Sequence, residues 1–198
     1  MILMGNRESA MNRVRVVHGL LYFFACLAAS ACSSPGFDEI SRGVEKAGHY
    51  IARVPFFKQA EDDCGPAALA SVLGFLGRRR MPAEIRAEVF TPKLRGTLPM
   101  DMVQYARRQG LYAESMKGGL GEIETAISKD IPVILLLDLG FGPYRRPHYV
   151  VAIGFDRINR MVVMHDGLTE NRIMDYDDLV HAWGRAGFWM LIVKEAGQ

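Results

Sequence analysis

From Pro66 to Leu76 the chain is apolar on nearly every face a helix would have, through Ala67, Ala68, Leu69, Ala70, Val72, Leu73 and Leu76. A helix of that kind has no solvent face, so the fold must enclose it. Asp62 or Asp63 can cap its start, Pro66 is tolerated in its first turn, and Gly77 stops it. Arg78-Arg79-Arg80 follows at the negative end of the helix dipole and reads as a solvated helix end. A second feature constrains the fold from the other side. Ile131-Pro132-Val133-Ile134-Leu135-Leu136-Leu137 is a continuous apolar run of strand length, as a central buried strand requires.

Between and after these two segments the pattern predicts helices over 83–89, 99–109 and 121–128, and strands over 51–57 and 112–116. Further strands are expected over 149–155, 161–165, 172–174 and 188–193, with a helix over 176–183. Helices come first and strands cluster later, which gives an α+β domain. With 49% hydrophobic and 23% charged residues, the 198-residue chain can enclose a substantial core.

The N-terminus reads as an export signal. Arg13 and Arg15 precede an apolar run from Val16 to Ala31 that ends in small residues. The run is short for a membrane span and contains His18. Met11 is an alternative start. Ala29-Ser30-Ala31-Cys32 resembles a bacterial lipobox, in which Cys32 is lipidated and becomes the mature N-terminus. Plain secretion and an uncleaved anchor are the other two readings. The expected organisation is a signal peptide over residues 1–31, a flexible tether over 32–50 and a folded domain over 51–195. The location that follows is the bacterial cell envelope, on the periplasmic side. Arg7, Arg13 and Arg15 against Glu8 account for the excess of positive charge, and beyond residue 31 acids and bases balance. That balance gives no electrostatic case for a nucleic-acid partner.

Of three cysteines, Cys26 and Cys32 fall in or at the end of the signal, so the folded region holds Cys64 alone. A lone thiol in an exported protein is either a small buried hydrophobe or a reactive group. Its setting, Gln59-Ala60-Glu61-Asp62-Asp63-Cys64-Gly65-Pro66, puts it at a helix start, which lowers a thiol pKa, but straight after three acids, which oppose that.

A nucleophilic cysteine needs a base, and the base an orienting group. His18 lies in the signal, His49 in the tether and His181 in a helix. His148 opens one strand and His165 closes the next, beside Asp166. A three-residue turn at Asp156 to Ile158 would set His148 directly opposite Asp166 in a β-hairpin, and would point His165 to the other face. Gln59 is near enough to Cys64 for its amide, with the Cys64 N–H, to form an oxyanion hole. Arg145-Arg146 and the loop from Gly140 to Pro147 precede His148, either as part of a substrate cleft or as plain surface.

The blocks Val54-Pro55-Phe56-Phe57-Lys58-Gln59, Asp63-Cys64-Gly65-Pro66-Ala67-Ala68-Leu69 and His148-Tyr149-Val150-Val151, followed by Asp166, resemble the C39-like cysteine peptidases, a branch of the papain-like fold. The resemblance runs from about Ile51 to Val193. It departs at Asp166-Gly167, where the family often has Asp-Pro. It implies a helix that carries the nucleophile packed on a C-terminal antiparallel sheet, with Cys64 as nucleophile and His148 as general base, then acid. Asp166 would be the orienting carboxylate and Gln59 the oxyanion-hole donor, and no cofactor is called for. Many family members are fused to ABC transporters and remove double-glycine leaders from exported peptides. This chain has no Gly-x4-Gly-Lys-Ser/Thr phosphate loop and would be a stand-alone version. The expected partners are a peptide or protein substrate, the membrane through the lipid anchor, and a separate exporter. An amidase or peptide transferase with the same triad, and a catalytically idle envelope-binding domain, are the alternative functions.

Overall fold

The computed structural model describes residues 47–197. The segment expected as signal peptide, Cys32 and most of the expected tether lie outside the described residues. The strands are β1 (Gly48–Tyr50), β2 (Phe90–Thr91), β3 (Gly96–Thr97), β4 (Tyr112–Lys117), β5 (Val133–Asp138), β6 (Pro147–Asp156), β7 (Met161–His165), β8 (Arg172–Asp175) and β9 (Trp189–Lys194). The helices are α1 (Cys64–Phe75), α2 (Pro82–Val89), α3 (Pro99–Arg108), α4 (Leu120–Ile127) and α5 (Tyr176–Arg185).

Seven strands form one sheet in the order β4-β9-β5-β6-β7-β8, with β1 also paired to β6. The ladders given by register are antiparallel, so the chain is α+β as the order of helices and strands suggests. β6 is the longest strand and organises the sheet. It pairs with β5 along Pro147–Ala152 and with β1 along Gly154–Asp156, while β7 takes its other edge. After Pro147 every residue of β6 is buried, so both its faces are covered. α1 packs on β5 and β6 and is backed by α2 and α3, while α4 and α5 pack against the same central strands. The all-round apolar helix is enclosed as its sequence demands: Gly65 to Leu73 are buried throughout, with Leu69, Val72 and Leu73 fully so. Burying each of those larger side chains contributes about 1.5–3 kcal/mol.

Two local expectations are corrected, and one further element appears. The segment 51–57 is loop, and the sheet begins earlier, at Gly48, inside the segment read as tether. Pro55 lacks a donor and Arg53 sits at φ 68°, so the ladder to β6 continues only through the Ile51 N–H on the Ile153 carbonyl (2.8 Å). The small hairpin of β2 and β3 had no sequence signal beyond Gly96. Finally, the β6–β7 turn spans Arg157 to Arg160, because Asp156 pairs with Met161. The Asp156 carboxylate accepts from the Ile158 and Asn159 N–H groups (2.9 and 3.1 Å) and from Asn159 Nδ2 (2.8 Å), which holds the wider turn. His148 therefore does not face Asp166 directly. A β-bulge between Ala152 and Gly154 then shifts the register so that Val151 pairs with His165. Continued past His165, that register puts Asp166 beside Val150, in phase with His148 but one pair removed.

Candidate active site

A cleft of about 690 Å³ is lined by Gln59, Cys64, His148 and Tyr149 together with the segment Leu94–Pro99, Leu136, Arg146 and Leu168. Three pieces of chain build it: the start of α1, the β3 region and the first residues of β6. Gly65 lets two of them close up. A side chain there would come within 2.8 Å of Thr97 Cβ, so only glycine allows β3 to press on the first turn of α1.

Cys64 is the first residue of α1, with Asp63 in the N-cap position. Burial pushes its thiol up; the backbone N–H groups of Tyr149, Gly65 and Cys64 reach the sulfur and pull the other way, and the Asp62 charge adds to the rise. Cys64, His148 and Tyr149 line the same cleft, so the thiol stands at the start of β6. Tyr149 also donates its hydroxyl to the Thr97 carbonyl (3.0 Å), tying β6 to the opposite wall. Nothing in the sequence marked Tyr149 beyond its place next to His148.

The three acids before Cys64 do not cap the helix. Arg95 holds Glu61 and Asp62, each at 2.8 Å, and the Asp63 carboxylate turns to Arg86. Asp63 makes no side-chain cap, so the expectation that it or Asp62 would serve as a side-chain cap is not met.

His148 is buried, and its Nε2 lies 2.7 Å from the backbone carbonyl of Asp166. A carbonyl only accepts, so Nε2–H donates and the neutral ring keeps its lone pair on Nδ1. Burial lowers the imidazole pKa; the Asp166 carbonyl and charge oppose this, and Arg146 and Arg172 add to it. The Asp166 side chain is engaged elsewhere. It accepts from the Leu168 and Thr169 N–H groups (2.8 and 2.6 Å) and pairs with Arg172 (2.8 Å). Burial alone would raise its pKa, but these contacts outweigh burial and hold the carboxyl below its usual range. Asp166 thus meets His148 through its main chain, while its carboxylate stiffens the loop that presents that carbonyl.

Gln59 is fastened to the same loop, its N–H donating to the Gly167 carbonyl (2.8 Å). Gly167 has φ +78°, and a side chain there would collide with the Gln59 amide, with Cδ only 2.9 Å away. The Gln59 side-chain oxygen is buried without a hydrogen-bond partner among the described residues, and Gln59 lines the cleft. The departure from Asp-Pro at this position has a physical reason: proline cannot adopt a positive φ.

His165 is buried below Cys64 but is committed. Nε2 donates to the Val54 carbonyl (3.0 Å), Nδ1 accepts from the Asn171 N–H (3.3 Å), and Phe56 packs edge-on at 5.4 Å. It fastens the 51–63 loop to β7. His49 contacts Asp130 (2.8 Å) and His181 is exposed, so neither lines the cleft.

Residues 51–190 match the model of the Peptidase_C39 like family. No curated protein matches the chain. Among solved structures, the peptidase domain of Streptococcus ComA, a bi-functional ABC transporter involved in quorum sensing, aligns with TM-score 0.58 and 22% identity. That alignment covers 73% of this chain and all of the other. A C39-like peptidase from Bacillus anthracis aligns with TM-score 0.63 and 17% identity, over 77% of this chain and all of that one. A double glycine motif protease from an AMS/PCAT transporter, solved with its leader peptide, aligns with TM-score 0.58 and 21% identity, over 75% and 99%. The shared architecture is that of papain-like cysteine proteases.

Proposed function

Because the chain belongs to the C39-like peptidase family, we propose that it is a cysteine endopeptidase acting on an exported or envelope peptide, with Cys64, His148, Gln59 and Asp166 as its working residues. The observation that carries this reading is that Cys64 and His148 line one cleft while the Asp166 carbonyl holds Nε2 of His148 and leaves Nδ1 as a base.

The reaction follows from the geometry. The Cys64 thiol gives its proton to His148 Nδ1 as sulfur attacks the scissile carbonyl carbon. The oxygen takes up the displaced electron pair and is held by the Gln59 amide and the Cys64 N–H. Collapse of the tetrahedral adduct breaks the C–N bond, and His148 returns the proton to the departing amine. Water, deprotonated by His148, then hydrolyses the thioester and restores the thiol. Asp166 orients the ring through its carbonyl, keeping Nε2 protonated and Nδ1 free.

The apolar run at residues 16–31 and the lipobox-like Ala29-Ser30-Ala31-Cys32 support export and lipidation at Cys32, and with them a location at the envelope membrane. The leader-peptide complex of the AMS/PCAT protease supports an extended peptide as substrate and a separate exporter as partner. The test is direct. Cys64→Ala is expected to abolish both labelling by an epoxide of the E-64 type and cleavage of peptides from an envelope digest. Cleavage that survives in this variant would overturn the assignment.

A further inference from the structure

The charges around the cleft are not evenly compensated. On the α1 rim, Glu61 and Asp62 are both held by Arg95. On the His148 rim stand two successive arginines with different fates. Arg145 pairs with Asp138 (2.6 Å), and Arg185 approaches the same carboxylate (3.3 Å). The other oxygen of Asp138 is taken by the Gly140 and Arg146 N–H groups (3.0 and 2.8 Å). Asp138 thus meets two arginines by charge at one oxygen, which has no hydrogen-bond partner among the described residues, and two N–H groups at the other. Arg146, exposed and lining the cleft, has no acidic partner for its guanidinium among the described residues.

The Arg146 backbone is nonetheless fixed. Its N–H binds Asp138 and its carbonyl accepts from Leu139 (3.0 Å), so the base of the β5–β6 hairpin holds it two residues before His148. The rest of the lining is largely apolar, with Leu94, Leu98, Pro99, Leu136, Pro147 and Leu168. An unpaired guanidinium carried on a fixed backbone in such a cleft is complementary to a carboxylate, which it can bind through two parallel hydrogen bonds. His148 returns its proton to the departing amine, so the residues on its rim meet the leaving-group half of a substrate.

We propose that Arg146 is a specificity-determining residue that binds a carboxylate on the leaving-group side of the scissile bond. The carboxylate is either the side chain of an acidic residue there or the free C-terminus of a short leaving peptide. The assignment of sides rests on Cys64 and His148 being the reacting pair.

The test separates binding from turnover. Dansyl-labelled peptides of one apolar sequence carry Gly-Gly followed by Asp, Ala or Lys with an amidated end, or by Ala with a free carboxylate. Affinities are read by fluorescence anisotropy on protein carrying Cys64→Ala. At least one carboxylate peptide is expected to bind roughly ten- to hundredfold tighter than the neutral amide, the range of a charge-assisted contact. Comparing the Asp amide with the free acid identifies the source. Adding Arg146→Ala should remove the preference, Arg146→Lys should keep part of it, and Arg146→Glu should transfer it to the Lys peptide. A preference order identical in all these proteins, or no gain for either carboxylate, overturns the proposal. Absence of cleavage by protein with Cys64 intact would instead count against the peptidase reading, because the binding comparison does not depend on catalysis.

Discussion

At Cys64, burial and charge act against the thiolate, and at His148 burial acts against the imidazolium. The resting pair is therefore a neutral thiol beside a neutral ring, with proton transfer coupled to attack. Two measurements follow. The acid limb of kcat/KM should fall below the ordinary imidazole value of 6.5, since His148 must be neutral to act as base. Alkylation of Cys64 by iodoacetamide without substrate should keep rising beyond the ordinary thiol value of 9.0. An alkylation midpoint near neutrality would contradict this. The same shifts bear on stability: both buried histidines, His148 and His165, have pKa values lowered on folding. The stability they confer is intact above the unfolded value of about 6.5 and is lost as pH falls through their folded values. Thermal melts from pH 7 to 5 should show falling Tm, and His165→Gln should flatten that slope. Gly167 gives a sharper prediction. Gly167→Ala should cost at least tenfold in kcat by displacing Gln59, up to the ~10²–10³ of a lost oxyanion donor. In a Gln59→Ala background the same change should cost much less, and additive losses would show that Gly167 does not act through Gln59.

Among the elements, the β5–β6 hairpin matters most, because it delivers His148. Asp138 ends β5 opposite Pro147, is 2% exposed, and ties the loop to Arg145, Arg185 and two backbone N–H groups. Gly140 permits this loop, since a side chain there would overlap the Tyr144 carbonyl. Asp138→Ala leaves the Gly140 and Arg146 N–H groups and the half-buried Arg185 without their acceptor and should cost about 1–3 kcal/mol in urea denaturation. A loss under 1 kcal/mol would show that the loop stands without its anchor. Much of the site was legible in the sequence at this scale. Cys64 at a helix start, His148 at a strand start and Gln59 before the helix are local facts that motif and periodicity carry. What was not legible depends on chain meeting chain. The partners of the three acids, Arg86 and Arg95, come from two later segments. The Asp166 carboxylate goes to Arg172, because two N–H groups in its own turn already fix its rotamer. The hairpin register failed because turn length follows from the Asp156 side-chain contacts, which apolar alternation does not encode.

Across the whole molecule, the helical and sheet halves each contribute part of the site, and neither half holds it alone. α1 brings Cys64, and β6 with the loop after β7 brings His148 and Asp166. Leu69→Ala, deep in α1, should cost about 2–5 kcal/mol and lower the thermal midpoint of inactivation together with that of unfolding. Fluorescence of buried Trp183, whose indole N–H donates to the Trp189 carbonyl (2.7 Å), should report the same midpoint as peptidase activity if the domain unfolds as one unit. Activity lost well before that signal would mean that the cleft opens separately. The bulge at Ala152–Gly154 carries a last consequence, for how this chain can tolerate change in length. A sheet reads its strands two residues at a time, so the bulge acts like a compensating frameshift between the turn and the site. Residues gained or lost in the Arg157–Arg160 turn leave the phase of His148 against the Asp166 loop untouched. A single residue deleted between His148 and the bulge inverts that phase. Among natural descendants of this chain, length variation should therefore accumulate at the turn and be absent along the ten residues of β6.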